Sequence, residues 1–82
     1  MLPFNPDEVR LEPSKHFRNT KMRMWNWDLH DVRDALRGAH RVVQRGRSKL
    51  EVWTRKGGSR KLVIVYSPDE KMAFIVTGTE GD

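Results

Sequence analysis

At His40 the hydrophobic pattern of the chain changes period, and this constrains the fold more than any single motif. Before His40, apolar residues recur at helical spacing. After it, they alternate or run together as strands do. Ser14 is a candidate N-cap, and Phe17, Lys21, Met24 and Met22, Trp25 fall at helical spacings behind it. This predicts a first helix over about 14–25, with Met22, Met24, Trp25 and Trp27 turned to the core. Asp28 predicts the start of a second helix over about 28–38. Asp31 suits the positive end of its dipole, and Leu29, Val32, Leu36 and Ala39 form its apolar face beside Ala35. Gly38 supplies the stop. Beyond His40, strands are expected over about 41–45, 49–55, 60–66 and 72–77. Gly57-Gly58 reads as a hairpin and Ser67-Pro68-Asp69-Glu70 as a turn. Residues 1–7 form a leader, and residues 8–12 alternate as a short edge strand that Pro13 stops.

Helices first and strands afterwards give an α+β fold. Two N-terminal helices pack on one face of a small antiparallel sheet of about four strands, and the other face stays open. The chain has 82 residues, too few for a second core, so 1–82 is a single domain. It has no cysteine, which excludes disulfides and thiolate chemistry. No apolar run approaches the ~20 residues of a membrane span. Nothing at the N-terminus reads as a signal peptide, so a soluble cytoplasmic protein without membrane contact is expected.

Charge gives the first functional direction. The net charge is +5, but residues 10–61 hold 15 lysines and arginines against five acids. A basic middle of this kind suits a polyanion. Metal chemistry is not expected: His16, His30 and His40 are spaced by 14 and 10 residues, with no paired ligands. No phosphate-binding loop and no nucleophile elbow are present, and no cofactor is implied.

The strand pattern places candidate residues. With Gly57-Gly58 at the centre of a hairpin, Arg55 faces Arg60, Trp53 faces Leu62, Glu51 faces Ile64 and Lys49 faces Tyr66. One face then carries Lys49, Glu51, Trp53, Arg55, Arg60 and Tyr66. Cations there would follow the phosphates of a single-stranded RNA while an exposed Trp53 stacks a base. If the Pro68 turn has four loop residues, Thr79 lies opposite Arg60; with three it does not, and the pattern leaves both open. Metal-free RNA cleavage needs a base, an acid and cations around phosphorus. Arg60 holding phosphate, with Tyr66 and Thr79 assisting, would serve as catalytic residues. Arg47, Lys49, Trp53, Arg55, Lys56 and Lys61 would bind the strand, and Lys15, Arg18, Lys21 and Arg23 would extend the track along the first helix.

The chain also resembles a known family on a set of diffuse motifs spanning about residues 9–79. These are His16, Lys21-Met22, Trp27-Asp28, Asp31-Val32 and Ala35-Leu36, then Gly46-Arg47, Arg60-Lys61-Leu62-Val63-Ile64-Val65-Tyr66 and the Thr77-Gly78-Thr79 tail. Together they resemble the small uncharacterised RelE-like domains of the barnase–EndoU–colicin–RelE ribonuclease superfamily. The resemblance implies a RelE-like fold, metal-independent RNA cleavage by a toxin, and a catalytic His16. It also implies an antitoxin-like protein partner lying on the basic surface. Some members of the superfamily have no shown activity. The leading expectation is therefore an RNA-binding domain acting as a ribonuclease of RelE-like toxin type. The alternatives are a non-catalytic nucleic-acid-binding module and a protein-interaction domain of a toxin–antitoxin-like pair.

Overall fold

The computed structural model describes residues 2–80. Strand β1 (Arg10–Pro13) is followed by helix α1, which runs as α-helix over Lys15–Phe17, widens to a π-type turn over Arg18–Met22 and returns to α-helix over Arg23–Trp25. Helix α2 is Leu29–Arg37, and strands β2 (Arg41–Gln44), β3 (Lys49–Thr54), β4 (Arg60–Ser67) and β5 (Met72–Glu80) follow. The period change at His40 is thus the boundary between helices and sheet.

The sheet has five strands in the order β1-β5-β4-β3-β2. It is mixed: β1 lies parallel to β5, with Leu11 opposite Ala73 and Pro13 opposite Ile75. The expected antiparallel sheet of about four strands thus gains a fifth, parallel member. The edge strand is shifted from 8–12 to 10–13, and Pro13 is its last residue instead of its terminator. Pro13 has no N–H to donate, and the next donor, Ser14, bonds the Ile75 carbonyl at 2.8 Å, so the edge loses little.

Local chemistry sets each helix. Ser14 Oγ accepts from Phe17 N at 3.0 Å and donates to the Val76 carbonyl at 2.6 Å, so one hydroxyl caps α1 and ties it to β5. Within α1, Phe17 and Met22 are both buried. They stand five residues apart, and the π-type turn between them lets both face the sheet. Met24, expected in the core, is 65% exposed, because the wider turn rotates it outward. Asp28 and Asp31 form a reciprocal capping box at the start of α2. Val32, Ala35 and Leu36 are buried, while Leu29 stays exposed in the first turn.

Both helices cover the sheet face that carries Leu11, Leu50, Val52, Leu62, Ile64, Ala73 and Ile75. The β3–β4 pairing differs by one residue from the expected one: Thr54, not Arg55, opposes Arg60, and Val52 opposes Leu62. A one-residue slip moves every side chain of β4 to the other face. The adopted register buries Leu62 and Ile64. The expected one would bury Lys61, Val63 and Val65, giving up two methylenes at about 0.8 kcal/mol each and desolvating an ammonium group as well. The connection is therefore a five-residue loop, Arg55–Ser59, made possible by Gly57 and Gly58 at φ +67° and +121°.

The β4–β5 ladder contains a bulge. Val63 opposes Thr77 but Ile64 opposes Ile75, leaving Val76 as the extra residue. Its carbonyl is the one that accepts Ser14 Oγ. The Pro68 turn has four residues between Ser67 and Met72, which in a regular ladder would set Thr79 against Arg60. The bulge advances the pairing, so Glu80 opposes Arg60 and Thr79 opposes Lys61.

Candidate nucleic-acid interface

β4 opens with two cations, Arg60 and Lys61, that alternate to opposite faces of the sheet. Each meets an indole. On the helix-covered face the Arg60 guanidinium lies 4.7 Å from the centre of the Trp25 ring. On the open face Lys61 Nζ lies 5.7 Å from the Trp53 ring, and Arg41 from β2 covers the same ring at 4.6 Å. The hairpin end of the sheet is therefore clad by cation–indole stacks on both sides.

Stacking fixes the plane of a guanidinium without consuming its in-plane donors. The Arg41 side chain, stacked on Trp53, has no hydrogen-bond or ion-pair partner among the described residues. Arg60 has only a long contact from Nη1 to the Ser59 carbonyl at 3.5 Å. Its Nε is buried without a partner, as is the hydroxyl of the fully buried Thr54 directly opposite. The Gly57-Gly58 turn wraps the outer end of this group: a Cβ on Gly58 would stand 3.1 Å from Arg60 Nη1.

Around Trp25 the helix-side cluster is closed by Glu80. One carboxylate oxygen accepts from Trp25 Nε1 at 2.8 Å and the other from Lys21 Nζ at 3.1 Å. The indole hydrogen bond, then the lysine, hold the Glu80 carboxyl below its ordinary range. Trp25 also meets Phe17 and Trp27 edge-on, with ring centres 6.1 and 4.8 Å away. On the open face Glu51 bonds Arg45 at 3.1 Å and approaches Lys61 at 3.8 Å, and Arg45 chiefly lowers its pKa.

The remaining predicted residues divide. Trp53 is on the open face with Lys49 and Glu51, as its strand parity implies, but Arg41 and Lys61 cover it and leave it 8% exposed. An exposed stacking platform is thus corrected to a covered one. Arg60 and Tyr66 lie on the helix side, not on the open face. Arg55 is exposed beyond the end of β3 and is not opposite Arg60. Tyr66 packs on Phe4 with ring centres 4.9 Å apart. It is six residues along β4 from Arg60, about 20 Å at strand rise, so the two do not share one phosphate. Thr79 sits beside Lys61 on the open face. His16 is exposed on the first turn of α1, and Lys15, Arg18 and Arg23 are also exposed along the helix. Lys56 is held by Asp34 at 2.8 Å and Asp31 at 3.6 Å, which commits it to α2. Arg47 is at the far end of the sheet, on the rim of a cleft of about 650 Å³ with Tyr66, Leu50 and Pro3.

Three residues that sequence reasoning left out belong to the hairpin end. Arg41 is visible in the sequence as a cation two strands from Lys61, and the spacing of Trp25 predicts only a core position for it. Glu80 had no signal, because only the bulge brings it to this face. No group of three or more potential metal ligands occurs among the described residues, and no described helix is long and apolar enough to cross a membrane. No family model, curated protein or solved structure matches the chain.

Proposed function

We propose that the chain is an RNA-binding domain of RelE-like type that cleaves single-stranded RNA without a metal. The observation that carries the reading is the pair of cation–indole stacks at the hairpin end, Arg60 on Trp25 and Arg41 with Lys61 on Trp53. The Arg41 guanidinium and the outer Arg60 nitrogens are oriented by the rings and free of acidic partners among the described residues, which suits phosphate oxygens on either side of one sheet edge, while Lys61 is shared with Glu51. The exposed cations of α1 supply further positive charge. The succession of two helices and a strand run, with both helices on one face, agrees with what the resemblance implies.

The test compares Arg60→Ala, Arg41→Ala and Arg37→Ala for binding of a short fluorescein-labelled single-stranded RNA at one salt concentration. Arg37 is the control because it already bonds Asp7 and Asp34. The first two changes should each cost ~1.5–3 kcal/mol, as for charge-assisted hydrogen bonds, and the control well under ~1 kcal/mol. Equal losses would mean diffuse attraction with no organised site. A second reading, a protein-interaction domain with an antitoxin-like partner, is favoured by the open face. There Val43, Val63, Val65 and Phe74 are half-buried with no helix over them. It expects an acidic partner to displace RNA from the same cations.

A further inference from the structure

The end of the sheet away from the Gly57-Gly58 hairpin is covered by the leader. Leu2 and Phe4 pack against the core, Arg33 donates to the Pro6 and Val9 carbonyls, and Arg37 donates to Asp7. Beside the leader, a cleft of about 650 Å³ opens over Leu50 and Tyr66, lined also by Pro3, Pro68, Arg47 and Ser48. Sites that take small ligands commonly enclose ~300–1,000 Å³. Tyr66 and Pro68 also line a smaller cleft of about 180 Å³ against Phe4, and the Phe4 and Tyr66 ring centres are 4.9 Å apart. The Tyr66 ring is thus held between the two clefts. Of the described residues that line the larger one, Arg47 alone is charged. Its carbonyl accepts from Gln44 Nε2 at 3.2 Å, and the same amide holds the Gly46 carbonyl. Its exposed guanidinium has no hydrogen-bond or ion-pair partner among the described residues. The Ser48, Tyr66 and Ser67 hydroxyls are equally without partners among the described residues. An apolar floor ringed by one free cation and several free hydroxyls is the composition of a ligand site.

We propose that this cleft binds a nucleoside monophosphate, with the base against Tyr66, Pro3 and Pro68 and the phosphate on Arg47. Each part of such a ligand meets a group that is otherwise unused. The base offers a π face to the Tyr66 ring and polar edges to the serine hydroxyls. The phosphate offers paired oxygens to the Arg47 guanidinium, whose flat fork holds them bidentately. A bare phosphate ion would leave the apolar walls in water, and an uncharged aromatic would leave Arg47 without a partner. Phe4 already fixes the Tyr66 ring, so little side-chain freedom is lost on binding. The proposal does not depend on the RNA reading, because Arg60 and Tyr66 stand at opposite ends of β4, about 20 Å apart at strand rise. The same chemistry is carried by a free mononucleotide and by one nucleotide unit of a single strand, and the experiment separates these two sources.

The test is a titration of the isotopically labelled full chain followed by amide NMR shifts. The probes are adenosine, inorganic phosphate and each of the four 5′-ribonucleoside monophosphates. Expected is saturable binding of at least one monophosphate, with the largest shifts at Ser48, Tyr66 and Ser67 and not at Arg41 or Arg60. Inorganic phosphate should bind roughly 5–100-fold more weakly, the worth of stacking one base. Arg47→Ala should weaken the monophosphate about 10–100-fold, as loss of a charge-assisted hydrogen bond does. Arg47 is an exposed loop residue, so the fold should persist, and circular dichroism checks it. Tyr66→Leu should weaken the monophosphate while leaving inorganic phosphate unchanged. An all-deoxy single strand, which has no 2′-hydroxyl through which it could be cleaved, is then added to the loaded protein. Displacement from the cleft amides assigns the cleft to a nucleotide unit of a strand, and retention assigns it to the free mononucleotide; both support the site. The proposal is overturned if no monophosphate shifts the cleft amides at millimolar concentration, if the shifts fall at the hairpin end, if adenosine binds as tightly as its monophosphate, or if Arg47→Ala binds like wild type. Each of these results leaves the hairpin-end reading standing.

Discussion

Replacing Gly78 by alanine tests the packing on which the candidate site depends. A Cβ at position 78 would stand 2.9 Å from Phe17 Cε1, 2.9 Å from Trp25 Cη2 and 3.2 Å from Leu62 Cδ2. Phe17 and Leu62 are fully buried, so neither can retreat, and the indole must move. Overpacking of this kind costs ~1–3 kcal/mol. Removing a glycine from a strand returns roughly 0.5–1 kcal/mol of backbone entropy. The net loss is about 0.5–2 kcal/mol, a fall in Tm of roughly 2–16 °C for a domain of this size. Thermal melts followed by circular dichroism measure it. In a Phe17→Leu background the smaller side chain gives the new methyl room, so the two changes should couple favourably by at least ~0.5 kcal/mol. An unchanged Tm, or strict additivity in the double variant, would refute the claim that Gly78 is the contact point of these rings.

RNA binding should weaken steeply with salt, with a log–log slope of about −0.7 per phosphate contact on single strands; a salt-insensitive affinity measured by fluorescence anisotropy would oppose it. Glu80 has a folded pKa below its ordinary 4.5, so its stabilisation is present above that value and is lost as the pH falls through the lower folded one. The Tm advantage of wild type over Glu80→Gln at neutral pH should accordingly close on acidification, and a gap that persists in acid would contradict the pairing. Lys71 sits at φ +50°, where a side chain strains the backbone, so Lys71→Gly should stabilise the domain by about 1 kcal/mol in urea unfolding.

Where local chemistry acts alone, the sequence was legible. Ser14 and Asp28 cap their helices, Gly57-Gly58 turns the chain and the period change at His40 separates the layers. The failures of register share a cause: each is a one-residue shift of phase. Parity along β3 and β4 was right within each strand, but the five-residue loop joined them one step apart and exchanged the faces of Arg60 and Lys61. The four-residue turn at Pro68 was among the alternatives, yet the bulge at Val76 still carried Glu80 past Thr79. The side chains of Val76 and its neighbours hold no local signal for a bulge. It arises from fitting Gly78 beneath Phe17 and Trp25 while Ser14 finds the freed carbonyl. Such long-range fits are not visible in a pattern of spacing.

The π-type turn of α1 sets the tolerance of the molecule to insertions and deletions. An α-helix turns by about 100° per residue. Removing one residue between Arg18 and Lys21 would let the helix return to regular winding while Phe17 kept its seat. Phe17 and Met22 would then stand four residues apart and still share one face of a regular α-helix, so Lys21 and Trp25 would keep their direction toward Glu80 and Arg60. The segment thus tolerates the loss of one residue, whereas a second deletion would turn Lys21 and Trp25 by about 100° away from the cluster. The exposed Arg18 and Asn19 can also be exchanged for other helix-compatible residues without disturbing it.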